Sequence, residues 1–168
     1  MKIVIAVILI VALIVIGTLF KNRAPLLDPP GLKKRLAVYL TTNTAKTSDD
    51  HPFAELRTPV FDVGPDDLYI TVKDAANDLG WAIIDSDDVE WRLDMSAKSD
   101  ILLFVDDVKV EIEPLVCEEG VTNTALHIHS QSRVGKADFA ANADHVQQLV
   151  KAVKKRLELG FIHSPSSR

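Results

Sequence analysis

The sequence predicts an α+β protein: an N-terminal transmembrane helix followed by a two-layer domain, with an antiparallel sheet of about four to five strands and two helices on one face. Three observations lead there. Ile3 to Phe20 is an unbroken apolar run, two stretches near 64–80 and 142–160 repeat apolar residues at helical spacing, and the chain between them alternates as strands do. Because the strand series lies between the two helices, a two-layer sandwich is favoured.

Composition narrows the function classes. A chain of 168 residues holds one membrane segment and one domain, but not two independent cores. Aromatics make up only 6%, so the core is expected to be aliphatic. The net charge is -5, with no basic stripe carrying interleaved aromatics, which argues against nucleic acid. The single cysteine, Cys117, leaves no internal disulfide framework and no multi-cysteine metal site.

The apolar run contains no charge; at the helical rise it spans roughly 27 Å, close to a hydrocarbon core of about 30 Å. Residues 1–22 are therefore read as a transmembrane anchor. A cleaved signal peptide is the competitor, but the run is long for one and lacks an Ala-x-Ala exit. No cysteine follows it, so a lipoprotein is excluded. Lys2 lies on one side and Lys21, Arg23, Lys33, Lys34 and Arg35 on the other, which taken literally places the domain in the cytoplasm. The brevity of the N-terminal tail leans the other way, toward the outer face of a bacterial inner membrane.

Residues 23–35 read as a proline-rich, basic tether, with Ala24 to Gly31 a stiff spacer. The soluble domain is expected over 36–160. Leu36 to Leu40 suits an edge strand or one helical turn, and Thr41 to Pro59 a surface loop. Gly64-Pro65-Asp66-Asp67 starts a helix whose apolar face is Leu68, Val72, Ala75 and Leu79, with Gly80 as the stop. Trp81 to Ile84 predicts a strand, Asp85 to Asp88 a turn, and the alternation Val89, Trp91, Leu93, Met95 a second strand. The acidic turn lacks the spacing, distal Glu and Gly of a calcium loop.

The next strand is expected from Ile101 through Glu113, with Val108, Val110 and Ile112 inward; the same parity puts Asp106 on the core face unless a bulge turns it out. Cys117 to Thr122 is a turn. The returning strand puts Leu126, Ile128, Ser130 and Ser132 on one face, and Ala125, His127, His129, Gln131 and Arg133 on the other. The last helix begins near Asn142, which is read as its cap, and ends at Gly160; residues 161–168 are a frayed tail.

A carboxylate on a core face needs a partner, and Arg133 is the natural one for Asp106 or Asp107. The functional reading of the same residues is an anion held by Arg133 and the N-terminus of the last helix, with Asp138 as a base or acceptor. His127 and His129 point the same way and are weak metal candidates without a third ligand. Ser132 lacks a nucleophile elbow, and Glu118 and Glu119 would raise a Cys117 thiol. No phosphate loop or dinucleotide fingerprint occurs, and no cofactor is expected.

Phe104-Val105-Asp106-Asp107-Val108, with Ser130-Gln131-Ser132-Arg133-Val134-Gly135-Lys136-Ala137-Asp138 and Asn142, resembles the bacterial domain of unknown function family 1499 over roughly Thr41 to Leu159. That family typically shows Phe-x-Asp-Asp-Val and Ser-x-Ser-Arg-x-Gly-x-x-Asp-x-Gly-x-Asn. Here Asn43-Thr44-Ala45-Lys46-Thr47 stands where Asn-Cys-Val-Ser-Ser is usual, Ala140 replaces the glycine that precedes Asn142 in the motif, and His145 stands where arginine is common. The resemblance implies envelope association and no established activity.

The resulting polar cluster is Asp106, Asp107, Ser132, Arg133, Gly135, Asp138 and Asn142, ligand-binding or structural. The leading expectation is a non-enzymatic, membrane-anchored envelope module for a partner protein or a small anionic or lipidic ligand. The alternatives are a hydrolase using Asp106, Asp107 or Asp138 with Arg133, and a purely structural tethered domain. A binding module predicts an apolar patch on the uncovered sheet face, and a hydrolase predicts accessible carboxylates around Arg133.

Overall fold

The computed structural model describes residues 1–98, 104–116 and 122–163. Its elements are α1 (Lys2–Lys21), α2 (Leu32–Tyr39), β1 (Thr44–Lys46), a 3-10 turn (Ala54–Leu56), β2 (Val60–Phe61), α3 (Pro65–Asp78), β3 (Ala82–Asp87), β4 (Arg92–Lys98), β5 (Val105–Val116), β6 (Thr122–Ser132) and α4 (Ala141–His163). The sheet runs β1-β6-β5-β4-β3, all antiparallel, with β2 pairing along β6 as well.

One face of the sheet is apolar and covered. Leu93, Met95, Val108, Val110, Ile112, Leu126 and Ile128 meet Leu68, Val72, Ala75 and Ala76 of α3 and Val146, Leu149 and Val153 of α4, all buried. Pro65 at the first helical position needs no amide partner, and Asp66 and Asp67 follow in the first turn of α3. Gly80, at φ 71, turns the chain out of that helix into β3.

The other face is polar, because the period-2 alternation sends every second side chain there. Lys109 bonds Asp94 at 3.1 Å, Arg92 approaches Glu111 at 3.7 Å, His127 meets Glu113 at 2.9 Å, and Arg133 meets Asp107. The apolar patch expected on the uncovered face is absent among the described residues of β4, β5 and β6.

Several expectations shift. Leu36 to Tyr39 belong to the end of α2, with Leu40 just after it, and the expected loop Thr41 to Pro59 contains β1 and the 3-10 turn. β4 starts at Arg92 and not at Val89: Asp87 Oδ1 accepts from the amides of Val89 and Glu90, and Trp91 sits at φ 48, so the turn extends three residues further. β3 runs on to Asp87 as an edge strand, with a register shift between Ile83 and Asp85. α4 continues past Gly160 to His163. The expected strand start at 101–103, the turn at 117–121 with Cys117, and the tail at 164–168 lie outside the described residues.

α1 is long and apolar enough to cross a membrane, a criterion that a signal sequence also meets. Its last turn is tied to the domain: Leu19 is buried, Asn22 Nδ2 donates to the Phe139 carbonyl at 2.8 Å, and Arg23 lies 3.6 Å from Asp144. The basic cluster after it divides. Lys33 and Lys34 are exposed, whereas Arg35 is fully buried (0%), donating to the carbonyls of Asp28 and Pro29, to the Tyr39 hydroxyl and to both oxygens of Glu55. Its guanidinium also lies 4.3 Å from the Phe53 ring centre.

Candidate functional site

Parity decides which carboxylate is buried. In β5, Asp106 shares the inward face with Val108 and is 2% exposed, while Asp107 faces out. In β6, Ser132 faces inward opposite Asp106, and Arg133 follows on the outer side. Arg133 therefore bonds Asp107 through Nε at 2.9 Å and Nη2 at 2.6 Å, in a pair whose side chains are about half exposed. The expected bond from Arg133 to one of the two aspartates is made, but not to the buried one. The expectation that Arg133 neutralises a buried carboxylate is overturned, because Arg133 and Asp106 lie on opposite faces of the sheet. An exposed pair of this kind contributes little to stability.

The inward cluster has other members. Asn142, fully buried, donates from Nδ2 to Asp138 Oδ2 (2.6 Å), Ser132 Oγ (2.9 Å) and the Asn43 carbonyl (2.9 Å), and its Oδ1 accepts from Ser130 Oγ at 2.6 Å. It does not cap α4. Asp138 does, accepting from the amides of Ala140 (2.9 Å) and Asn142 (3.3 Å). Burial pushes the Asp138 carboxyl up, partly countered by its bond from Asn142 and by these amides. With a carboxylate already on the helix N-terminus and Arg133 on the far face, the anion site expected there is not assembled.

Gly135, at φ 97, turns the segment between β6 and α4 so that its carbonyl accepts from Asn43 Nδ2 at 2.9 Å. The same segment is stitched to the end of α2 by the Asp138 amide to the Thr42 carbonyl and the Phe139 amide to the Tyr39 carbonyl. Phe139 and Ala140 both sit at positive φ, 52 and 69. The motif's usual glycine at position 140 now has a backbone reason.

Asp106 is left poorly partnered. Its Oδ2 lies 3.7 Å from His145 Nδ1, beyond hydrogen-bond range, and its Oδ1 has no hydrogen-bond partner among the described residues. His145 packs edge-on against Trp81, and burial lowers its pKa, opposed by Asp106 and Asp144. Ser130, His145 and Asp106 do not form a nucleophile set. Ser130 is fully buried, its proton goes to Asn142, and its 3.3 Å approach to the histidine uses the same Nδ1 that faces Asp106.

The outward histidines share a face but not a ligand. His127 meets Glu113 and His129 meets Thr44 Oγ1 at 2.8 Å, while burial and the flanking Lys46 and Lys109 lower the pKa of His129. No group of three or more potential metal ligands occurs among the described residues.

Asp106, Ser132 and Asp138 also line a cavity of about 480 Å³. On the other side it is lined by α1 and the residue after it, through Leu13, Ile14, Gly17, Thr18, Lys21 and Asn22, and its lining also includes Phe104, Val134 and Phe139. The volume and the mix of apolar wall with a few polar groups are those of small-molecule sites. Sequence reasoning finds Asp106, Ser132, Asp138 and Asn142 but misses Asn43, His145 and the α1 wall. The Asn43 and His145 positions are visible in the family pattern, whereas the part of α1 that lines the cavity is mostly apolar, with Thr18 and Lys21 at its end.

The family model DUF1499, described as a protein of unknown function, matches residues 40–153. No curated protein matches the chain.

Proposed function

This chain belongs to the DUF1499 family over residues 40–153, and from that premise we propose that it is a membrane-anchored envelope domain holding a lipid-like small molecule in the cavity between α1 and the segment after β6. The carrying observation is the composition of that cavity: the apolar side chains of the membrane-length helix, ending in Lys21, on one side, and Asp106, Ser132 and Asp138 on the other. The domain stands on the outer face of a bacterial inner membrane in this reading.

Two competing uses of the fold find less support. The uncovered sheet face is a ladder of exposed ion pairs, unsuited to an apolar partner. The hydrolase arrangement lacks its electrophilic arm, since Arg133 is engaged with Asp107 on the outer face.

Gly17 provides the test, because it lines the cavity and a Cβ built there meets nothing within 4 Å, so Gly17→Phe has room to direct a ring into that space. The full chain in phosphatidylcholine nanodiscs, irradiated with a diazirine-bearing dodecanol, should be labelled within 134–141 and on the Leu13–Thr18 stretch. Gly17→Phe should abolish the 134–141 label while leaving the melting temperature unchanged. Equal labelling of both proteins would refute the reading. A C-terminal alkaline phosphatase fusion should be active; activity only of a cytoplasmic reporter would reverse the assigned side.

A further inference from the structure

Resting on the membrane-anchored reading, and not on what fills the cavity, we propose that the face of the domain beside the last turns of α1 is seated in the head-group layer of the bilayer that α1 crosses, with Phe104 and Val134 as its contact side chains. Length decides the depth of the domain. α1 is 20 residues long, about 30 Å at the helical rise, and a hydrocarbon core is also about 30 Å thick, so every turn is needed to cross it. The last turns are nevertheless engaged by the domain: Val15 is partly buried against the core, Leu19 is buried, and Asn22 Nδ2 holds the Phe139 carbonyl. If the domain stood clear of the membrane and took those turns with it, only Lys2 to Ile14 would remain, about 20 Å of helix and too short to span. An anchor of this length therefore brings the domain down onto the bilayer.

The face that comes down is suited to it. Phe104 and Val134 line the same space as the stretch of chain from Leu13 to Asn22, so they stand alongside the last turns of the helix and not beyond its end. Both are exposed, at 49% and 69%, and on α1 itself Ile16 and Phe20 extend the apolar surface. Lys136, exposed two residues on from Val134, is a cation of the kind that suits phosphate-bearing head groups. Apolar side chains at this level leave water for the boundary between head groups and acyl chains, as those of interfacial helices do. Val89 supplies the contrast: it is 80% exposed, but it precedes Arg92 at one end of β4, whereas Phe104 precedes Val105, the residue paired with Lys98 at the other end.

The test is depth-resolved quenching on the full chain in phosphatidylcholine nanodiscs. With the single native cysteine removed by Cys117→Ser, the fluorophore NBD is attached through Leu9→Cys, Phe104→Cys, Val134→Cys or Val89→Cys, each accepted on an unchanged melting temperature. Either of the two contact positions suffices if the other does not fold. The lipids carry a nitroxide either on the head group or midway down the acyl chain. Probes at the Phe104 and Val134 sites should lose most of their emission to the head-group nitroxide and little to the acyl one. At the Leu9 site the order should reverse, and at the Val89 site neither quencher should have much effect. Quenching at Leu9 with the Phe104 and Val134 sites no better quenched than Val89 overturns the seating while leaving the anchor in place. Equal head-group quenching at Val89 would overturn the choice of face. Loss of quenching at Leu9 would remove the membrane-anchored reading itself, and the seating with it.

Discussion

Arg35 and Asp106 are both charged side chains with almost no solvent contact, yet they are treated in opposite ways. Around Arg35 every arm of the guanidinium has an acceptor, with Glu55 opposite in charge and the Phe53 ring close by. Around Asp106, Oδ1 has no hydrogen-bond partner among the described residues, and Oδ2 has only the His145 Nδ1 at 3.7 Å. A fully satisfied buried charge is committed to holding the chain, here fixing the segment after α1 to the 3-10 turn. A buried carboxylate with an unbonded oxygen does no comparable work in holding the chain.

The strongest way to break this contrast is Arg35→Met. It strands Glu55 and the other acceptors, and should cost roughly 3 kcal/mol or more in urea unfolding of the detergent-solubilised chain. Asp106→Asn should change stability by less than about 1 kcal/mol in the same assay. Equal losses would erase the distinction.

Acid sharpens it further. Burial raises the Glu55 pKa, but the bonds from Arg35 and the local backbone outweigh it, so the net shift is downward. A depressed folded pKa means its contribution is present above the ordinary glutamate range and is lost as pH falls through the lowered value. Wild type should therefore lose stability below about pH 4, while Arg35→Met should show a shallower slope there.

Smaller effects test the surroundings of the open site. Ala140→Gly relieves a left-handed backbone at φ 69 and should raise stability by about 1 kcal/mol; a loss would mean that the buried methyl matters more than the strain. Arg133→Ala should leave the melting temperature unchanged within error, since its pair with Asp107 faces solvent. A clear drop would return Arg133 to the structural role that its sequence position suggests.

Much of the fold is legible because α3, α4, β5 and β6 are long enough for their periodicity to declare itself. α2, β1 and β2 are not: eight, three and two residues carry little pattern, and they are held by what they pack against. The start of β4 falls later than its alternation suggests because Trp91 looks like an inward strand residue, whereas its indole N–H donates to Asp66 Oδ1 at 2.9 Å across from α3. At the site, alternation correctly puts Asp106 inward, and the same alternation puts Arg133 outward; pairing the two weighs charge above geometry. His145 and Gly17 come from helices remote in sequence, so only packing could bring them to Asp106.

The bulged edge strand β3 bears on how copies of this protein coexist. In the membrane-anchored reading proposed above, neighbouring molecules held by α1 would meet side by side in two dimensions, the arrangement in which one sheet can extend into the next. The kink between Ile83 and Asp85, with Asp85 and Asp87 exposed along the rim, interrupts the row of free amides and carbonyls and surrounds it with like charge. Crowding, in that reading as in solution, should thus leave these domains as separate units and not as a growing ribbon.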